Sequence, residues 1–151
     1  MTTHRPIRYA AIVDIENEVI DRGHLLPAEC RRALFGELDR AVWDMPVRVA
    51  SGPSVLEACV GELAARAWGV TLVPTEPDAA DLALLEAGRH FANTGATDLV
   101  VVSGDHAFAS LAAVARLHVV AHRHKLSAAL RMAATTVTYL PDTHTLALAS
   151  A

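Results

Sequence analysis

Short unbroken apolar runs alternate with longer amphipathic stretches along this chain, and that alternation constrains its architecture more than any other feature. Ala10-Ala11-Ile12-Val13 and Leu99-Val100-Val101-Val102 are continuous, not every-other-residue, apolar runs. A strand of that kind is buried on both faces, which calls for helices on both sides of a mainly parallel sheet. Strands are expected from Tyr9 to Ile15, Val47 to Ser51, Val70 to Val73, Asp98 to Ser103, Leu117 to Ala121 and Thr136 to Leu140. Helical spacing runs from Leu26 to Trp43, Ser54 to Trp68, Asp78 to Phe91, Ala107 to Arg116 and Leu126 to Ala133, with Gly69 as a C-terminal stop. The expected fold is α/β: a three-layer, Rossmann-like arrangement with a mainly parallel central sheet flanked by helices. It forms one domain, its core running from about Arg8 to Pro141, and Thr143 to Ala151 read as a loosely docked tail.

Composition narrows the function. Apolar residues make up 52% of the 151 positions and mean hydropathy is +0.29, enough to fill a core and too much for disorder. Aromatics are 5%, which argues against a base-stacking platform. Net charge is −4, so nucleic acid would need a local basic patch. No apolar run nears the roughly 20 residues of a membrane span, and the opening Met-Thr-Thr-His-Arg-Pro lacks a signal-peptide pattern. Cys30 and Cys59 lack zinc or disulfide-framework spacing and read as reduced thiols. The expectation is a cytoplasmic protein without a membrane segment, and the high apolar fraction is compatible with a homodimer. Trp43 and Trp68 end amphipathic helices and read as core.

Chemistry is expected where three acids from separate segments meet. Asp14 ends the first strand, Asp105 follows the strand Leu99 to Val102, and Asp81 lies in the first turn of a helix. In an open α/β sheet, sites form beyond the carboxyl ends of the strands. Converging carboxylates repel one another unless a cation lies between them, so Mg²⁺ or Mn²⁺ is the natural companion and metal-assisted hydrolysis the natural reaction. Singly, each aspartate also suits a helix cap or the positive end of a helix dipole. Asp78 reads equally as a helix start, preceded by Pro77. Glu16 reads as solvated.

Val13-Asp14-Ile15-Glu16-Asn17, then Asp81-Leu82-Ala83-Leu84, then Ser103-Gly104-Asp105-His106-Ala107-Phe108 resembles, in that order, the NYN family of PIN-like metal-dependent ribonucleases. The resemblance extends from about Tyr9 to Leu140. It implies that Asp14, Asp81 and Asp105 hold Mg²⁺ or Mn²⁺, that Asn17 orients a ligand or substrate, and that an activated water cleaves an RNA phosphodiester. The catalytic set it implies is Asp14, Asn17, Asp81 and Asp105, with Asp78 and Ser103 as further candidates. This chain departs from the family at Ala107, where a second aspartate is usual, at Asp78, where a lysine is common, and at Ala87, where a further acid often stands.

The cations nearest this edge are His122-Arg123-His124-Lys125, and Arg123 and Lys125 are the expected RNA-phosphate contacts. Two readings follow: a ribonuclease, or an impaired domain of the same fold that binds RNA or protein. Other phosphoryl-transfer folds fit less well. Asp14-Ile15-Glu16 is not the Asp-x-Asp of a haloacid-dehalogenase-like phosphatase, and no glycine-rich turn follows the first strand.

Overall fold

β1 (Tyr9–Val13) stands inside a six-stranded sheet whose order is β5-β4-β1-β6-β7-β8, every pairing parallel. The partners are β4 (Val47–Ser51), β5 (Gly69–Leu72), β6 (Asp98–Val102), β7 (Arg116–Ala121) and β8 (Thr136–Tyr139). This is a computed structural model, and it describes residue 6 and residues 8–149. The opening residues 1–5 and the last two, on which part of the sequence reading fell, lie outside the described residues.

Successive side chains of a strand face opposite ways, and each face of this sheet has its own apolar core. Ala11 and Val13 join Leu34, Phe35, Leu38, Val49 and Val102 on one side. Ala10 and Ile12 join Leu84, Val101, Phe108, Leu111 and Leu130 on the other. The first core is covered by α1 (Ile15–Val19), α2 (Ala28–Ala41), α3 (Pro53–Ala58), α4 (Val60–Ala64) and α7 (Thr143–Ala149). The second is covered by α5 (Ala79–Asn93), the 3-10 helix His106–Ala113 and α6 (Ala128–Ala133). The α/β class and the flanked parallel sheet stand as expected.

Several expectations are corrected. The first strand, expected to reach Ile15, ends at Val13, and the chain turns into a helix at Ile15. That helix is α1, and a small hairpin follows it, β2 (Ile20–Asp21) with β3 (His24–Leu25), turned by Arg22 and Gly23 at φ 51 and 80. Two consecutive positive φ angles match the turn that suits strand twist. The helix expected from Ser54 to Trp68 is two helices that meet at Cys59. The helix after Asp105 is 3-10. The tail is no fray: Leu146 of α7 is 1% exposed and packs with the α2 core. Trp43 is 79% exposed because it falls beyond the end of α2, in the turn to β4, whereas Trp68 stacks on Phe35. Among the described residues no helix is long and apolar enough to cross a membrane.

Candidate functional site

Register alone brings the first two site segments together. Val13 lies opposite Val102 in the β1–β6 ladder, so Asp14 and Ser103 emerge side by side. The backbone N–H of Asp14 donates to the Val102 carbonyl (3.0 Å), and the Ser103 hydroxyl donates to Asp14 Oδ2 (2.8 Å). This is also where chain order reverses around β1, from β4 and β5 on one side to β6 and β7 on the other, the usual position for a ligand crevice. Asn17 completes the seam: its Oδ1 accepts from the Gly104 N–H (3.1 Å), while its own N–H reaches Asp14 Oδ1 (3.5 Å). Asp105 N–H donates to Ser103 Oγ (3.0 Å), and Asp105 Oδ1 accepts from the Ala107 N–H (2.8 Å). Asp14 and Asp105 therefore do cap the helices that follow them, and they do so while facing a common corner.

Gly104 is sterically obligatory here. A Cβ on it would stand 2.2 Å from the Lys125 carbonyl oxygen and 3.0 Å from the Leu126 nitrogen. The Gly104 carbonyl also accepts from the Ser127 N–H (2.9 Å). The turn that aims Asp105 is thus clamped by the loop after β7.

The electrostatics tie in Asp81. Burial pushes the Asp14 carboxyl up to about 7, the Ser103 hydrogen bond opposes that, and the charges of Asp81 and Glu18 add to it. Asp81 is pushed up to about 6, by burial and then by the charges of Asp105, Asp78 and Glu16, with His106 opposing. Asp81 is half-buried and is the link between the other two aspartates. Among the described residues none of the three is ion-paired with lysine or arginine, and His106 Nδ1 lies 3.4 Å from Asp105 Oδ1. Asp78 is the residue before α5, at φ 64, and its side chain caps nothing. It is exposed and contributes only charge.

Glu16, which the sequence reading set aside as solvated, belongs to this corner. Its Oε1 accepts from the Ser51 hydroxyl (2.7 Å) and the Gly52 N–H (2.8 Å). Two Ser-Gly turns thus flank β1, Ser51-Gly52 after β4 and Ser103-Gly104 after β6, and each hydroxyl holds a carboxylate from the start of α1. The repeated dipeptide at two strand ends was the signal in the sequence.

Most of the basic cluster already has partners within the protein. Lys125 Nζ donates to the carbonyls of Asn17 and Ile20, closing the C-terminal end of α1. His122 is buried, its Nε2 3.0 Å from Oε2 of the fully buried Glu18, and His124 Nε2 lies 3.2 Å from Asp21 Oδ1. Lys125 therefore acts as a clamp on the aspartate corner. Arg123 remains at the surface, its guanidinium 3.8 Å from the centre of the Tyr139 ring.

A hard divalent ion binds through one or two carboxylates and keeps several waters. The donor set of Asp14, Asp81 and Asp105 suits that chemistry, directly or through retained waters. As the side chains lie, no three His, Cys, Asp or Glu among the described residues are grouped to hold an ion between them.

Fold and site together define a parallel α/β protein with an acidic carboxyl edge. No family model matches the chain and no curated protein is similar to it. Among solved structures it is similar to a protein of unknown function from Vibrio parahaemolyticus, at 15% identity and a TM-score of 0.67, over 95% of this chain and 98% of that one. At that identity the likeness speaks for the fold.

Proposed function

We propose that this protein is a divalent-metal-dependent ribonuclease that hydrolyses RNA phosphodiester bonds at the Asp14, Asp81 and Asp105 corner. The observation that carries the reading is the buried Asp14 carboxylate, held by the Ser103 hydroxyl at the carboxyl edge, with Asp81 beside it, raised to about 6 by burial first and then by the charges of Asp105, Asp78 and Glu16. Carboxylates so arranged, with no lysine or arginine among the described residues to pair them, suit a bound cation. Mg²⁺ or Mn²⁺, when bound, would lower the pKa of a coordinated water and neutralise charge on the phosphate. Ser103 fixes the Asp14 carboxyl through Oδ2, leaving Oδ1, held only by a long contact, to take a proton from attacking water. The Oδ1 of Asn17 is occupied by Gly104, so its Nδ2 hydrogens remain to donate to a phosphate oxygen. Arg123 would contact the RNA backbone.

The test is cleavage of mixed-sequence RNA with Mn²⁺ or Mg²⁺, alongside Mn²⁺ binding followed by electron paramagnetic resonance. Wild type should cleave and bind, and Asp14→Asn and Asp81→Asn should lose both. Neither cleavage nor ion binding by a folded wild type would overturn the reading. The absence of a ready-grouped ligand trio favours the second reading, a catalytically impaired RNA- or protein-binding domain, and that reading expects RNA retention without turnover.

A further inference from the structure

Beside the aspartate corner, between the ends of β4 and β5, lies a cavity of about 330 Å³, at the lower end of the range for ligand pockets. Its walls are mainly apolar, with Val55, Val73, Pro74 and Pro77 among them, and among the described residues no lysine or arginine lines it. Glu16 reaches in from one side and Glu76 stands at the exposed rim. Glu16 links the two places, because its charge also acts on Asp81, and Ala80, next to Asp81, lines the cavity.

We propose that this cavity is a nucleobase pocket of the same site, selecting a base whose edge presents N–H donors, guanine above all, and disfavouring uracil. The proposal deepens the ribonuclease reading and rests on it for the phosphate that would lie at the aspartates. Apolar walls accept the flat faces of a base. The edge is read by Glu16. Both of its hydrogen bonds, from Ser51 Oγ and the Gly52 N–H, fall on Oε1, so the carboxylate is fixed in place while Oε2 remains to accept. A carboxylate is acceptor-only, and the two lone pairs left on Oε2 can accept from neighbouring N–H groups of one base edge. Guanine offers N1–H and the N2 amino group side by side. Uracil offers one N–H between two carbonyl oxygens, which a carboxylate repels. The second carboxylate at the rim pushes the same way.

The test uses the free nucleosides guanosine and uridine, which carry no phosphate and need no metal, so it reads the pocket apart from the chemistry. Binding is followed by amide shift changes at Gly52, Val73 and Thr75. Wild type should bind guanosine about tenfold more tightly than uridine. Glu16→Gln keeps an oxygen to accept from Ser51 and Gly52 but puts an amide N–H₂ in place of Oε2. It should fold and should reverse the preference toward uridine, which a merely structural role for Glu16 would not do. Val55→Trp, which fills the cavity, should abolish both. Equal affinities for the two nucleosides, no shifts in wild type, or an unchanged preference in Glu16→Gln would overturn the pocket whether or not RNA is cleaved. Loss of RNA cleavage with guanosine selectivity intact would instead overturn the nuclease reading alone.

Discussion

Asp14 works against the stability of its own fold. A carboxyl whose folded value rises to about 7 holds its proton better in the native state than in the unfolded chain. Its contribution is therefore fully present below about pH 4 and is lost as pH rises through about 7. Asp14→Asn should raise stability at pH 8 by on the order of 2 kcal/mol and leave it nearly unchanged at pH 4, as read by urea titrations at both values. Asp78→Lys replaces a charge that raises Asp81 with a cation, so the Asp81 carboxyl should fall and RNA affinity should rise in low salt. Nuclear magnetic resonance titration of the Asp81 carboxyl, with RNA binding at two salt concentrations, checks both. At this scale the sequence was informative for the aspartates, because polar residues after long apolar strands stand out. It read Glu16 as solvated, with only the two Ser-Gly dipeptides to hint otherwise, and it did not show the carbonyls that hold Lys125. Their roles depend on hydrogen bonds to residues 35 and 108 positions away, which no local pattern encodes.

Elements with an apolar run or a helical stripe were legible, and the shortest pieces after β1 were not. The buried strands and α5 follow from uninterrupted apolar runs and a helical stripe. α1 has five residues and β2 and β3 have two each, too few for a period to register. The division between α3 and α4 at Cys59 leaves no proline or glycine at the break. α7 was missed because an Ala-rich tail carries little moment, yet Leu146 is fully inserted. Leu146→Ala should cost about 2–4 kcal/mol in denaturant unfolding, as a buried leucine does. Gly104→Ala forces a Cβ against the Lys125 backbone. It should destabilise by about 2 kcal/mol or more and, on the proposed metal-site reading, should weaken Mn²⁺ binding even in the folded fraction, because the turn that aims Asp105 must shift.

Across the whole molecule, two carboxylate systems at opposite ends of the sheet pull the pH dependence in opposite directions. Asp98 opens β6 at the end away from the site. It is buried, yet the Arg116 guanidinium holds its carboxyl well below the usual range; burial opposes this, and His118 and Thr97 reinforce it. That contribution is present above about pH 4 and is lost as pH falls through the depressed value. Asp14 and Asp81 act in the other sense between about pH 4 and 7. Without divalent ions, thermal stability should therefore peak near pH 5 and decline toward neutrality. If the corner takes a cation, millimolar Mg²⁺ should lift the neutral side and move the peak upward, as any ligand of the native state does. A melting series across pH with and without Mg²⁺ reads both curves. A peak that stays put with Mg²⁺ would count against the cation site.

The seam between Gly104 and the Lys125–Leu126 backbone leaves the acidic corner no mechanical independence. Any insertion between Ala121 and Ser127 would lever the Asp105 turn directly. A lineage seeking a more basic rim would do better to recruit it elsewhere, since lengthening this cation-bearing loop would pull the aspartates out of alignment.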